Sequence, residues 1–375
     1  MLTSKNRDVI AIFNEGDFPH GVTVKIRTGM IIAQDVYNEH GFLLCTKNSR
    51  LNENLVRLFL QNGIRWARTY EMSLTEKLEG AINEDLILSS VVQSEDFQEF
   101  KTEYVRKIDE VKEHLLDISI GGNVDIEALH EVTSDIVNTL DTKNDVFNYI
   151  RFMKQSDEAT FGHCINVSML CNLFGHWLGM KHRDIVDLTA AGSLHDLGKT
   201  KIPHSVLCKK GRLTEGEFNI VKNHTVLGYE LMKDAKHIPE RIKLAALMHH
   251  ERPDGSGYPH GRKTSDIDKY ASIVTICDIY DAMISNRCYK EKLSPFYVIK
   301  TFEQGSYGYL HTEYLLVFLQ NIAHTFLHSD VVLSDGREGR VVFINEKHLS
   351  RPIIQCGREF IDLLEEPGLD VKLAM

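Results

Sequence analysis

Near the N-terminus the hydrophobic and polar positions alternate in steps of two. Val22, Val24 and Ile26 alternate with Thr23, Lys25 and Arg27, the pattern of a half-buried strand. Asn38-Glu39-His40-Gly41 signals a turn before a second apolar run, Phe42-Leu43-Leu44, and Leu51 to Asn62 reads as a helix closed by Gly63. These features predict a small α/β or β-rich unit over residues 1–94. From residue 95 the period lengthens. Tyr104, Ile108, Val111 and Leu115 follow in steps of four, three and four, which is one face of a helix. That stripe either packs on a neighbouring domain or forms a short coiled coil that makes a homodimer. Gly121-Gly122-Asn123 breaks the helix, and 95–144 reads as a helical linker. Helical periodicity then dominates 145–328. After Ser329 the pattern returns to strands. Val331-Val332-Leu333, the turn Ser334 to Gly339 and Arg340 to Ile344 predict a hairpin, and Pro352-Ile353-Ile354 a further strand, so 329–375 reads as a small β appendage.

The central helices carry polar residues at informative places. Ala159 to Met180 contains no acidic or basic residue apart from histidine and is long enough to span a bilayer. It also holds His163, Asn166, Ser168, Asn172 and His176, which are costly in lipid, so it predicts a buried helix and no membrane span. His163 heads this helix, whose apolar face is Ile165, Met169, Leu173 and Trp177. His195-Asp196 ends the next helix, after Leu188, Ala191 and Leu194, with Lys199 three positions on. A third helix opens with Thr214-x-x-Glu217, a capping-box signature, and predicts a buried stripe of Phe218, Val221, His224, Leu227 and Leu231. A fourth, Arg241 to Met248, delivers His249 and His250 at its end. The fifth places Asp278 and Asp281 at i and i+3, among Ile273, Val274, Cys277 and Ile279.

At 375 residues the chain exceeds one ordinary domain. The formal net charge of −10 leaves no bulk positive field for nucleic acid or an anionic membrane, so any phosphate ester must be held by local charge. Seven scattered cysteines without a Cys-x-x-Cys pair argue against a disulfide framework and a thiolate zinc site, and fit a reducing cytosol. The first eight residues lack the apolar core of a signal peptide. Ten of the 18 histidines fall between positions 163 and 260. Five helices, each offering imidazole or carboxylate at a buried or terminal position, point to a metal site. Such donors suit iron, manganese or zinc rather than calcium. Seven protein ligands exceed what one catalytic ion takes with a position left open. Two ions about 3.5–4 Å apart, bridged by Asp196 and a water, would use them all.

The order His163, His195-Asp196, His224, His249-His250, Asp278 resembles the HD superfamily of metal-dependent phosphohydrolases. His249 to Pro259 (HHERPDGSGYP) resembles the hallmark of its HD-GYP branch. So do His195 to Pro203, Lys210-Gly211-x-Leu213-Thr214, and Asp278 to Met283 before Ser285-Asn286-Arg287. This resemblance covers about half the chain, residues 155–310. It implies a mainly α protein, with an all-helical HD-domain core at 145–328 flanked by small β-containing regulatory domains. It implies hydrolysis of the bacterial second messenger cyclic di-GMP at a centre of iron or manganese. By motif position His163, His195, Asp196 and Asp278 would hold one ion, and Asp196, His224, His249 and His250 the other. Lys199 would contact the scissile phosphate, and Tyr258, Arg287, Lys290 and Asp281 would contact substrate. The Gly-Tyr-Pro loop, proposed in relatives to touch diguanylate cyclase domains, adds a protein partner to the expectations.

Members with three metals carry Glu four residues before the first ligand histidine; here that position is Ala159, and Glu158 points about 100° away on a helix. Two divalent ions are therefore expected. Leu310-His311-Thr312 replaces the usual Phe-Asp-Pro, and the loop Gly261 to Thr264 has drifted, which bears on substrate fit. The expected mechanism is attack of a bridging hydroxide, activated by two metals, on a phosphodiester, with Lys199 stabilising the phosphoryl charge. Two other readings stand beside it. One is a non-catalytic cyclic di-GMP receptor or docking module, against which all seven ligands are present. The other is a hydrolase of another cyclic dinucleotide.

Overall fold

The computed structural model describes residues 22–25, 32, 36–37, 43–45, 51, 53–61, 64, 66–69, 93–140, 145–153, 159–209, 211–285, 294–305 and 309–374. The chain divides into two compact units, residues 1–87 with 366–369 and residues 88–365 with 370–375.

In the first unit, β1 (Val22–Lys25) pairs antiparallel with β4 (Trp66–Thr69), and β2 (Val36–Tyr37) pairs with β3 (Leu43–Cys45). Helix α1 (Glu53–Gln61) shares a small core with them, in which Ile32, Val36, Cys45, Leu51, Phe59 and Ile64 are buried. The expected turn at residues 38–41 and the closing Gly63 lie outside the described residues.

The second unit is mainly helical. Helix α2 (Glu95–Ser119) starts where the Ser94 side chain accepts from the Phe97 amide at 3.2 Å, with Glu95 and Asp96 complementing the positive end of the helix. Its Tyr104, Val111 and Leu115 are buried against α3 (Ile126–Asn138) and α5 (Ala159–Trp177), so this stripe packs within the chain. Helix α4 (Asp145–Phe152) lies between α3 and α5 in sequence. Helix α5 is buried from Cys164 to Gly175 and packs most extensively on α6 (His182–Leu194). Two of the polar residues that argue against lipid, Ser168 and Asn172, are satisfied inside this pair. Ser168 donates to the Thr189 carbonyl at 3.0 Å, and Asn172 Nδ2 donates to the Thr189 hydroxyl at 3.1 Å. Among the described residues no helix is long and apolar enough to cross a membrane.

A 3₁₀ turn (Leu197–Lys201) and α7 (His204–Leu207) lead to α8 (Glu215–Lys222), which has the complete Thr214/Glu217 capping box. The sequence pattern predicts one helix with His224 in the middle of its buried stripe, and here the structure differs. The helix breaks at Asn223, and α9 (His224–Met232) starts on the histidine itself. Phe218 is 46% exposed, and the buried residues of α9 are His224, Thr225, Gly228 and Met232. Contact with the 3₁₀ turn at Gly198 sets the axis of α9, so the apolar period of α8 does not carry through. Helices α10 (Glu240–Met248) and α11 (Lys269–Ser285) complete the frame of the site. Helices α12 (Pro295–Gly305) and α13 (Thr312–Thr325) close the bundle.

The C-terminal strands form one antiparallel sheet of order β8-β7-β6-β5-β9: β5 (Asp330–Leu333), β6 (Glu338–Phe343), β7 (Ile353–Cys356), β8 (Glu359–Asp362) and β9 (Val371–Ala374). The β5–β6 hairpin pairs Val331 with Gly339, and Gly336 in its turn has φ +90°. Strand β9 returns beside β5 and packs on α12, where Lys300 meets Asp370 at 2.9 Å.

Candidate metal centre

Five segments bring the predicted ligands together. His163 lies one turn inside α5. His195 caps the C-terminus of α6, and Asp196 follows it before the 3₁₀ turn. His224 opens α9, His249 caps α10 with His250 next, and Asp278 projects from α11. One close approach holds two of these segments at fixed spacing. A Cβ on Gly198 would stand 2.0 Å from the His224 carbonyl oxygen and 2.5 Å from the Gly228 amide nitrogen, so only glycine fits.

The outer nitrogens of four imidazoles are committed. His195 Nδ1 donates to the Gly192 carbonyl at 2.7 Å, and His224 Nδ1 to the Val221 carbonyl at 2.7 Å. His249 Nδ1 donates to the Ala246 carbonyl at 3.0 Å, and His163 Nδ1 to Asp281 Oδ2 at 2.7 Å. A carbonyl oxygen can only accept, so Nδ1 carries the hydrogen and the Nε2 position faces the centre.

Asp196 lies between two halves of the cluster and is 2% exposed. Its Oδ2 faces His195 Nε2 at 3.4 Å and His163 Nε2 at 3.7 Å. Its Oδ1 faces His224 Nε2 at 3.3 Å and His249 Nε2 at 3.8 Å. On one side Asp278 Oδ1 is 3.1 Å from His163 Nε2; on the other, His224 Nε2 and His249 Nε2 are 3.2 Å apart. One potential ligand atom from each of His163, His195 and Asp278 lies within 4.8 Å of the others, and the same holds for His224, His249 and His250. A third set, His195, Asp196 and His249, meets the same limit and joins the two groups through Asp196.

Several features fit divalent cations. His195 Nε2 and Asp196 Oδ1 are buried with no hydrogen-bond partner, which is costly unless an electrophile meets them. Burial, then the neighbouring histidines His250 and His195, holds His249 well below the ordinary imidazole range. Burial lowers His224 and pushes His250 down to about 4. Neutral imidazole is the ligating form. His163 differs. Burial disfavours its charge, but hydrogen bonds to Asp278 and Asp281 outweigh this and raise it to about 10. A proton there occupies the place of a cation's charge. For Asp196, burial is outweighed by Lys199 and His195, which keep the carboxyl well below its usual range. Burial pushes the adjacent Cys164 thiol up, so the donor set is imidazole and carboxylate without thiolate.

Lys199 contacts Asp196 Oδ2 directly, and its side chain is 26% exposed, so its ammonium sits at the rim of the centre. Tyr258 tilts over the His250 ring, with centroids 4.7 Å apart. Gly255, with φ +82°, turns the loop that carries Tyr258, and Gly257 lets it fold back on His250, whose carbonyl would be 2.5 Å from a Cβ there. Asp281 lies deeper. It is 1% exposed behind His163, accepting from His163 Nδ1 through Oδ2 and from Asn166 Nδ2 through Oδ1 at 2.8 Å, so both its oxygens are engaged by side chains of α5. Arg287 and Lys290 lie outside the described residues.

Sequence reasoning assigned no role to two further residues. Glu251 is 2% exposed and accepts from the His260 amide at 2.7 Å and the Arg262 amide at 2.9 Å, pinning the loop to the end of α10. Its position directly after the paired histidines was the available signal. Asn166 sits three residues after His163, on the same helical face.

Residues 146–307 match the HD domain family model. The chain is 40% identical over 142 residues to a cyclic di-GMP phosphodiesterase response regulator of Xanthomonas campestris, an alignment covering 38% of each chain. It is 28% identical over 240 residues to a cyclic di-GMP phosphodiesterase of Pseudomonas aeruginosa, covering 64% of this chain and 58% of that one. It is also 32% identical over 151 residues to a 3′3′-cGAMP-specific phosphodiesterase of Vibrio cholerae, covering 40% of this chain and 29% of the relative. The chain thus spans less than two thirds of the length of each of these relatives. The matched segment contains all seven candidate ligands and the Gly-Tyr-Pro loop, and over it the chain is similar to the HD domain family and to these phosphodiesterases.

Proposed function

We propose that this protein is a metal-dependent phosphodiesterase that hydrolyses a cyclic dinucleotide, with cyclic di-GMP as the first candidate. The observation that carries this reading is the convergence of imidazole Nε2 atoms and carboxylates on both oxygens of Asp196. His163, His195, Asp196 and Asp278 would hold one cation, and Asp196, His224, His249 and His250 a second. When bound, the cations would lower the pKa of a water to supply hydroxide near neutral pH and would offset phosphoryl charge.

The chain's own residues do the rest. Carbonyls of α6, α8 and α10 and the Asp281 carboxylate hold four imidazoles with Nε2 inward, so these four need not reorient on loading. Asp196 keeps Lys199 protonated against burial, placing a fixed ammonium beside the centre to neutralise charge developing on a non-bridging phosphoryl oxygen. Tyr258, braced on His250, offers an aromatic face beside the ligands for a nucleobase or ribose. The two cations, their identity as iron or manganese, and the role of Lys199 are parts of this proposal.

A second substrate reading, hydrolysis of a mixed cyclic dinucleotide, is favoured by the relative named 3′3′-cGAMP-specific. Purification without oxygen, metal analysis and chromatography of cyclic di-GMP and 3′3′-cGAMP incubated in parallel tests both readings. Faster loss of one dinucleotide assigns the substrate. Metal-loaded protein that leaves both intact refutes the enzymatic reading and leaves that of a receptor.

A further inference from the structure

A continuous hydrogen-bonded chain runs from helix α2 to the metal centre. The Tyr104 hydroxyl donates to Asn166 Oδ1 at 2.7 Å, Asn166 Nδ2 donates to Asp281 Oδ1 at 2.8 Å, and Asp281 Oδ2 accepts from His163 Nδ1 at 2.7 Å. Tyr104 is 3% exposed, Asn166 6% and Asp281 1%, so water does not compete for these bonds. Three helices supply the links: α2 gives Tyr104, α5 gives Asn166 and His163, and α11 gives Asp281.

We infer that Tyr104 is a positioning residue for the metal centre, acting through Asn166 and Asp281 on the orientation of His163. This inference rests on the proposed metal-binding function. Asn166 has a donor end and an acceptor end, and only one orientation serves this chain. With its amide nitrogen on Asp281, its carbonyl oxygen needs a donor, and the Tyr104 hydroxyl is that donor. Without it the amide loses the bond that opposes a flip. A flip would set Oδ1 against the Asp281 carboxylate, two acceptors in a buried site. Asp281 would then settle elsewhere and the His163 ring would follow it. Because Tyr104 rides on α2 while the other members ride on α5 and α11, the alignment of His163 depends on where α2 holds this one hydroxyl. The Tyr104 hydroxyl also lies 3.0 Å from the Gly162 carbonyl, an alternative acceptor on α5 that keeps the ring at the same place.

The test is manganese affinity of the full chain, measured by competition with a chromogenic chelator, alongside turnover. Tyr104→Phe keeps the ring and removes only the hydroxyl. It is expected to weaken manganese binding by about 3- to 10-fold, a step below the 10- to 100-fold typical of a partner directly hydrogen-bonded to a ligand, which Asp281→Asn should show. Asn166→Ala should weaken binding at least as much as Tyr104→Phe, and adding Tyr104→Phe to Asn166→Ala should change nothing more. This non-additivity is a signature that general loosening lacks. Leu115→Ala, elsewhere in the buried stripe of α2, should lower thermal stability while leaving manganese affinity within about 2-fold. Unchanged affinity in Tyr104→Phe, full additivity with Asn166→Ala, or an equal loss in Leu115→Ala overturns the inference while the metal reading stands. Wild-type protein that binds neither manganese nor ferrous iron, or a His249→Ala variant that binds manganese as well as a wild type that takes it up, overturns the metal reading itself.

Discussion

Gly198→Ala is the substitution for which the structure sets the strongest demand. The new methyl would lie 2.0 Å from the His224 carbonyl oxygen, 2.9 Å from its carbonyl carbon and 2.5 Å from the Gly228 amide nitrogen. All three are backbone atoms, so no rotamer change relieves the contact; the 3₁₀ turn and α9 must separate by more than an ångström. Overpacking costs about 1–3 kcal/mol, and a backbone clash falls at the upper end. Three kcal/mol in a unit of this size lowers Tm by ~5 °C. The same separation carries His224 away from Asp196, whose oxygen its Nε2 faces at 3.3 Å. Ligand distances in a metal site tolerate only about 0.2 Å, so manganese affinity should fall by at least one ligand's worth. Gly228→Ala is the internal control. Its methyl would stand 3.3 Å from the Gly198 nitrogen, a displacement of a few tenths of an ångström. The gain of about 1 kcal/mol in helix propensity from Gly to Ala offsets much of that strain. Thermal melts of the two variants with and without manganese, together with chelator competition, read both effects. A Gly198→Ala protein as stable and as well loaded as Gly228→Ala would refute the argument that this contact spaces the two ligand segments.

Four further outcomes follow from the same geometry. Asp196→Ala removes an oxygen from each half of the cluster and should abolish metal loading. Lys199→Met should retain metal and lower kcat by on the order of 100- to 1,000-fold; equal metal loss in both would overturn their separate roles. Glu251→Ala strands the His260 and Arg262 amides, worth about 1–3 kcal/mol of local stability, and should raise KM while metal content stays near wild type. Metal loss matching that of Asp196→Ala would show instead that Glu251 supports the ligands. Phe218→Ser should cost no more than about 1 kcal/mol of unfolding stability, because the residue is 46% exposed; a loss of several kcal/mol would restore the continuous buried stripe.

The sequence alone determined the fold class, the hairpin at 330–343 and the residues that converge. Helical and strand periods are local, and the ligand motifs sit at the helix ends that local capping and apolar patterns mark. The resemblance to the HD-GYP branch then supplied the grouping of ligands into two halves. Only the tertiary structure decided how the ligands are held. The Nδ1 acceptors of His195, His224 and His249 are carbonyls three residues back along the chain, which exist as acceptors only because each histidine sits at a helix boundary. The break at Asn223 could not be read from the apolar period: it goes with the packing of α9 on the turn at Gly198, 25 positions earlier. Asp281 looked like a substrate contact because sequence spacing gives the face of a helix but not what covers that face. Helix α5 covers it, and both oxygens of the carboxylate meet α5 side chains. Strand β9 has the same explanation: four residues carry little local signal, and pairing with β5 makes them a strand.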